Sequence, residues 1–111
     1  KSNCTLESFC EMAAKTADLI GVKHIGIGSD LCIGHPDSVV DWMRNGKWTK
    51  TKDYGEGSSS NANFPKQPSW FEDARGFKNL EQGLKKIGFK ESDVNGILGN
   101  NWYNFYRGIN S

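Results

Sequence analysis

Apolar side chains recur at helical spacing along the first part of the chain. Between Thr5 and Gly21 they form one stripe, made of Leu6, Phe9, Cys10, Ala13, Ala17 and Ile20. Threonine is a residue type that caps helix N-termini, and glycine is one that ends helices. The pattern therefore predicts an amphipathic helix over residues 5–20.

A short apolar run follows directly over residues 22–28 and leads into Ser29 and Asp30. It is typical of a buried β-strand, with Ile25 and Ile27 on one face and little side chain on the other. A helix that leads straight into a strand is typical of an α/β unit. Because no other segment has the pattern of a second buried strand to pair with it, the chain is expected to be part of something larger.

Residues 36–45 have apolar positions at helical spacing, which predicts a short helix that ends at Gly46. Residues 46–77 have no sustained periodicity and include a run rich in Gly, Ser and Asn. They also carry six aromatic residues: Trp48, Tyr54, Phe64, Trp70, Phe71 and Phe77. Linkers seldom contain so many aromatic side chains, so the pattern predicts a long, ordered loop.

The last third of the chain is predicted to be helical. The first of its helices begins at Asn79, where Asn79 and Gln82 have capping-box spacing, and ends in a Schellman motif at Gly88 and Phe89. A second short helix covers about residues 91–98, and a third begins near Asn100 or Asn101.

Length and charge limit the classes of function. A chain of 111 residues can form one domain but not an eight-stranded barrel, which needs about 250 residues. Fourteen Lys and Arg residues against thirteen Asp and Glu give a net charge of +1, which disfavours nucleic acid and anionic membranes as partners. No apolar stretch approaches the roughly 18 residues of a membrane span, so no membrane segment is expected in this chain. Three cysteines in no disulfide-like spacing are expected to be reduced thiols.

Asp30 is the best candidate for chemistry, because α/β enzymes place catalytic groups just past the carboxyl ends of buried strands. An aspartate after Gly-Ser could equally be a loop cap that accepts backbone N–H bonds. His24, in mid-strand, is interpreted as a hydrogen-bonded core residue. Cys32 and His35 have the spacing of half a zinc site, but the chain offers no suitable remaining ligands, so a complete zinc site is not expected.

The order of these elements resembles the C-terminal part of the membrane (renal) dipeptidase family, whose members are zinc-dependent, amidohydrolase-like (β/α)8 barrels. The strand ending in Asp30 resembles that family's His-(Ile/Val)-Gly-(Ile/Leu)-Gly-Ser-Asp strand. The ending, from Glu91 through Gly99 to Asn101 and Trp102, resembles a second family segment. The similarity spans nearly the whole chain. It implies an α/β fold: a C-terminal fragment of a TIM-like barrel over residues 1–111, a single partial domain with one buried strand, several helices and a loop at 46–77.

The resemblance also implies a function. Asp30 would be the catalytic residue of a zinc-dependent dipeptidase, accepting a proton from the attacking metal-bound hydroxide and passing it to the leaving amine. Asn101 would be a structural helix-start cap. Cys32 stands where the family usually has a second aspartate, and the loop after Gly34 is longer than in the renal enzyme, which suggests a bacterial subgroup with altered substrate preference.

The family's zinc ligands all precede the region that this chain covers. Zinc is therefore expected in the full-length parent, none is expected in this chain, and the isolated chain is predicted to be inactive. The parent's substrate would be a dipeptide or small amide. The alternative is a non-catalytic binding or structural module that uses the aromatic-rich loop.

Homo-oligomerisation or other self-association is also expected. The edges of a lone strand would be unpaired, and the apolar faces of Ile25, Ile27, Leu84 and Trp102 would otherwise meet water.

Overall fold

The computed structural model describes residues 4–50 and 57–109, and helices dominate this part of the chain. The α-helices are α1 (Leu6–Ile20), α2 (Ser38–Asn45), α3 (Phe77–Ile87), α4 (Glu91–Asn95) and α5 (Asn101–Ile109), with short 3₁₀ turns at Val22–His24 and Ala74–Gly76 and a π-turn at Gly96–Asn100. The longest helix, α1, has 15 residues, and no helix in the described ranges has the length and apolar character to cross a membrane. The contacts divide the chain into two units, one around residues 31–67 and one formed by 4–30 with 68–109.

The predicted fold class is wrong for the described residues. In place of an α/β barrel fragment with a buried strand, residues 4–50 and 57–109 contain no β-strand or sheet, and an isolated β-bridge joins Ser58 to Asn61. Residues 22–24 form a 3₁₀ turn. The backbone of Ile25 is extended, and no hydrogen-bonded turn or bend follows between Ile25 and Asp30. A strand exists only where another strand completes its ladder, and the described residues supply none. Helix side chains bond to this backbone instead.

Helix α1 confirms its sequence signals. The Thr5 hydroxyl accepts from the Ser8 amide at 3.1 Å, and the Ser8 hydroxyl accepts from the Thr5 amide at 3.1 Å, which completes a capping box. Its apolar stripe buries Cys10 and Ala13. The sequence thus sets both the start of the helix and the face that it buries.

Helix α3 begins two residues before the predicted start and ends as predicted. Gly88 has a left-handed backbone (φ 110°), its amide bonds to Lys85 O at 3.1 Å, and the Phe89 amide bonds to Leu84 O at 3.1 Å. These two bonds define a Schellman motif. The Asn79 side chain caps no helix, because its amide donates to Trp70 O at 2.7 Å. The predicted capping box is therefore wrong.

The second unit has a small, well-buried core. Its members are Cys10, Ala13, Leu84, Val94 and Ile97, and three of them have no measurable exposure. Helices α1 and α3 approach closely at Gly83, where an added Cβ would lie 2.8 Å from Cys10 Sγ. Glycine is therefore required here by the close approach of the helices and not by backbone conformation.

A π-turn joins α4 to α5. The predicted helix over about 91–98 is an α-helix only as far as Asn95, and the Asn101 amide then bonds back to Gly96 O. Such a bond spans five residues and adds one residue to the helical turn. The turn buries Gly96 and Ile97 and begins α5 at Asn101.

Aromatic residues of the predicted loop anchor its second part to the second unit. The Trp70 indole donates to Cys4 O at 2.9 Å and its ring lies 5.4 Å from that of Phe9. Phe71 is buried and lies edge-on to Phe77, with ring centroids 5.1 Å apart. Residues 68–77 are therefore ordered by contact, as the aromatic content predicts.

The first unit is held by side-chain bonds to its loop. The Asp37 carboxylate accepts from the Phe64 amide at 3.1 Å, and the Asn45 amide donates to Ser59 O at 3.1 Å. These bonds tie α2 to residues 57–67. The part of the predicted loop at 51–56, including Tyr54, lies outside the described residues.

Candidate functional site

Residues 22–30, called the docked segment below, lie against the π-turn and the start of α5. The Asn101 side-chain amide donates to Val22 O at 2.9 Å and to Ile25 O at 2.7 Å. The Trp102 indole donates to Ile27 O at 3.1 Å. These bonds replace part of the ladder that a strand would have needed.

One backbone bond completes the attachment. The Ile27 amide donates to Ile97 O at 3.3 Å, a carbonyl inside the π-turn. The side chains of Val22, Ile25 and Ile27 also pack against the core. The docked segment is therefore fixed by its backbone on one edge and by its apolar face on the core.

Gly26 allows the indole to approach. A Cβ at this position would lie 2.4 Å from Trp102 Nε1 and 2.7 Å from Trp102 Cε2, both inside the contact limit. Any larger residue would displace the ring and break its bond to Ile27. The first glycine of the Gly-Ile-Gly sequence thus has a packing role.

Asp30 ends the docked segment in an exposed position. It is the residue other than glycine with a positive φ in the described part of the chain, at 48°. Aspartate tolerates this left-handed region better than most residues because its short side chain can bond locally. The carboxylate is therefore presented to solvent at the end of an anchored backbone, and its catalytic role stays a prediction.

His24 does not lie in the core, where it was predicted. It ends the 3₁₀ turn with an exposed side chain, so the interpretation as a core residue is wrong. The reason is that residues 22–24 fold as a turn rather than as a buried strand. Lys23, beside it in the same turn, places a cationic side chain at this end of the docked segment.

A groove beside the docked segment collects polar groups that the sequence did not single out. Its cavity volume is about 610 Å³ and it is lined in part by Lys23, His24, Asp93, Asn101 and Asn104. This volume is within the usual range of small-molecule sites. Cationic, carboxylate and amide side chains thus line one groove. The only sign of this groove in the sequence is the cluster of Asn residues at positions 100, 101 and 104.

The sequence assigned Asn101 the wrong structural role. It was predicted to cap the start of a helix, yet its own backbone is helical (φ −65°, ψ −42°) and its side chain bonds to carbonyls of the docked segment. The sequence pattern does not reveal this role, because a hydrogen bond from a side chain to a backbone carbonyl far away in sequence produces no periodicity. Asn101 therefore holds the first part of the segment that ends at Asp30.

The thiols and histidines form no metal centre within the described residues. No group of three or more His, Cys, Asp or Glu side chains converges there. Cys32 and His35 are both exposed, and Cys10 is buried in the core, where loss of hydration raises the pKa of its thiol. A zinc ion would therefore need at least one ligand from outside the described residues.

Two ion pairs lie on the surface of the second unit. A side-chain hydrogen bond from Arg75 lowers the pKa of Asp73 to about 2, and the Asp73 carboxylate also accepts from the Arg75 amide at 2.8 Å. On α3, a hydrogen bond from Lys85 to Glu81 at 2.7 Å lowers the pKa of Glu81. The first pair lies in the turn before α3, the second links successive turns of α3, and neither pair lines the groove.

Comparison of the chain with protein-family models, with curated proteins and with solved structures found no match. The family resemblance therefore stays a hypothesis that is carried by the residues themselves.

Proposed function

We propose that this chain is the C-terminal portion of a zinc-dependent dipeptidase, in which Asp30 moves the proton during cleavage of a dipeptide amide bond. One observation carries the proposal: the two stretches that resemble the dipeptidase family contact each other. The first ends at Asp30 and the second contains Ile97, Asn101 and Trp102.

The contact is specific and involves four hydrogen bonds. Ile97 accepts one, Asn101 donates two and Trp102 donates one, all to or from the backbone of the docked segment. Two chance matches far apart in sequence have no reason to bond to one another. Their contact favours one inherited structural unit whose task is to hold Asp30.

The carboxylate suits the chemistry that the proposal assigns to it. Amide hydrolysis requires a group that takes a proton from the attacking water and returns it to the leaving amine, which is otherwise a poor leaving group. Asp30 is exposed and ends a segment fixed by several bonds, so it can meet a substrate without reordering its own backbone.

The described residues do not themselves fit a zinc site, because no three ligand side chains converge in them. The proposal therefore assigns the zinc ligands to sequence outside this chain. It also predicts that the 111-residue chain alone does not hydrolyse dipeptides.

The test is dipeptide hydrolysis with added zinc by the longer protein that contains this chain. Asp30→Asn removes the proton-accepting carboxylate with almost no change in shape, and it should lower kcat by about 100-fold or more. Asp18→Asn is the matched control, because Asp18 is an exposed aspartate near the end of α1. It should leave kcat within about twofold, as expected for a surface change.

Unchanged turnover in Asp30→Asn, with a melting temperature equal to that of the unmodified protein, would refute the role of Asp30. Absence of any hydrolysis by the longer protein with zinc would refute the dipeptidase assignment as a whole.

A binding module is the second candidate, favoured by an aromatic pocket in the first unit. Trp42, Met43, Gly46, Trp48 and Thr49 line a cavity of about 220 Å³, and Trp48 is 78% exposed. Aromatic and Met side chains of this kind are enriched where proteins bind partners. If Asp30→Asn has no effect on any hydrolysis while Trp48→Ala abolishes binding of a defined partner, this second function is favoured.

A further inference from the structure

The polar groove beside the docked segment adjoins a second cavity that is aromatic. The groove has a volume of about 610 Å³ and the second cavity one of about 240 Å³. Both are lined by Lys23, His24, Asn101 and Phe105, so together they form one site with a polar end and an aromatic end. The whole site lies in the second unit, and Asp30 lines neither cavity.

The polar end holds two opposite charges that do not pair with each other. Lys23 contributes an ammonium group from the 3₁₀ turn, and Asp93 contributes a carboxylate from α4. Neither side chain forms an ion pair or a hydrogen bond with any described residue. A ligand with charge of one sign would be attracted by one of these groups and repelled by the other. A ligand that carries both charges can pair with both.

The floor of the polar end is fixed before any ligand binds. The Asn101 amide donates to Val22 O and to Ile25 O, so its N–H groups are already used. Gly96 lies so close that a Cβ there would be 2.8 Å from Asn101 Oδ1. The Asn104 side chain lines the same groove and bonds to no described residue, so its amide is free to bind a ligand. A preformed floor lowers the entropy that binding would cost.

The aromatic end is also fixed. The Trp102 indole is held by its bond to Ile27 O at 3.1 Å. The Phe105 ring lies edge-on to Trp102 at 6.3 Å and to Tyr106 at 5.5 Å, measured between ring centroids. Phe105 is nevertheless 58% exposed. It therefore offers a positioned apolar surface on which an aromatic side chain of a ligand can pack.

We propose that this site binds a free α-amino acid with an aromatic side chain. The ligand's ammonium group pairs with Asp93, its carboxylate pairs with Lys23, and its ring packs on Phe105. Both pairings are charge-assisted hydrogen bonds, which are the stronger kind. The proposal does not depend on the dipeptidase function, because it uses neither Asp30 nor zinc.

The test is an NMR titration of the 111-residue chain with L-phenylalanine up to about 50 mM, which covers a dissociation constant of about 1 mM. The backbone amides of Lys23, His24 and Asp93 should shift with one common constant. Phenethylamine lacks the carboxylate, phenylpropionate lacks the ammonium group and glycine lacks the ring. Each should bind at least about tenfold more weakly, because a hydrogen bond to a charged group or the burial of the ring is lost.

Two variants assign the charges. Asp93→Asn should raise the dissociation constant of phenylalanine about tenfold but should not weaken phenylpropionate, which has no ammonium group. Its control is Glu91→Gln, which changes an exposed carboxylate of the same helix that lines neither cavity and should alter the constant less than twofold.

Lys23→Met keeps most of the side-chain length and removes the ammonium group. It should weaken phenylalanine about tenfold and leave phenethylamine unchanged. Lys15→Met, at an exposed position of α1, is its control and should leave the constant of phenylalanine within about twofold.

The proposal is overturned if the amides of the site do not shift, or if phenethylamine or phenylpropionate binds as tightly as phenylalanine. It is also overturned if Asp93→Asn and Lys23→Met retain the folded spectrum and bind phenylalanine unchanged. The comparison of ligands needs no variant, so it decides the question even where a substitution unfolds the chain.

Discussion

Replacing Asn101 by alanine should release the docked segment from α5. The side chain bonds to two carbonyls, Val22 O at 2.9 Å and Ile25 O at 2.7 Å. Each such neutral bond contributes about 1 kcal/mol net, so their joint loss costs about 2 kcal/mol. Alanine favours the helix over asparagine by about 0.5 kcal/mol. The net loss in the free energy of unfolding is therefore about 1.5 kcal/mol.

The loss can be measured by thermal denaturation. About 1.5 kcal/mol corresponds to a fall in Tm of about 6–12 °C for a domain of this size. Asn104→Ala is the control, because Asn104 is an exposed residue of α5 whose side chain makes no hydrogen bond to any described residue. Asn101→Asp should cost more than Asn101→Ala, because a carboxylate would face the same two carbonyl oxygens.

A local readout separates this role from a general loss of stability. The Ile27 amide bonds to Ile97 O, so its hydrogen exchange should accelerate in Asn101→Ala more than exchange at the core of α3. The reasoning is refuted if Asn101→Ala and Asn104→Ala have equal melting temperatures, or if Ile27 stays as protected as before.

Two further predictions concern the second unit. Gly83→Ala should lower the free energy of unfolding by about 1 kcal/mol although alanine favours helix, because its Cβ would lie 2.8 Å from Cys10 Sγ. The control Gly99→Ala adds a methyl group to open space and should be neutral or stabilising. If urea unfolding finds Gly83→Ala the more stable of the two, the close packing at Gly83 is contradicted. The pKa of Asp73 is lowered to about 2 by its bond from Arg75, so this pair stabilises the folded state above the unfolded pKa of about 3.9, and that contribution is lost as the pH falls through about 2. An NMR titration of the carboxyl carbon should show a midpoint near 2 that rises in Arg75→Gln, and an unchanged midpoint in that variant would exclude the Arg75 hydrogen bond as the cause of the low pKa.

Local signals predicted the helices well where the signal and its partner lie close in sequence. The capping box of α1 needs only Thr5 and Ser8, and the Schellman ending of α3 needs only Gly88 and its neighbours. Such motifs fix their own geometry, so the sequence suffices. The capping box predicted at Asn79 is wrong because the partner of this side chain is not local: it is the carbonyl of Trp70, nine residues away.

The strand was mispredicted because a β-strand forms only when two segments pair. The hydrophobic pattern of residues 22–28 describes just one of them. Residues 22–28 have the composition of a buried strand, yet the described chain offers no second strand and satisfies the backbone from Asn101 and Trp102 instead. The position of Asp30 at the end of an extended segment could be predicted. The groove beside it could not, because it depends on which face α5 turns toward the docked segment.

The π-turn at Gly96–Asn100 sets that face. One additional residue in a helical turn rotates everything after it by about 100°. A chain lacking one residue here would continue α4 as regular α-helix and carry Asn101 and Trp102 a quarter-turn or more from the carbonyls that they bind. The number of residues between Ile97 and Asn101 therefore matters more than the identity of Gly99. Deleting one residue there would remove the hydrogen bonds of Asn101 and Trp102 together.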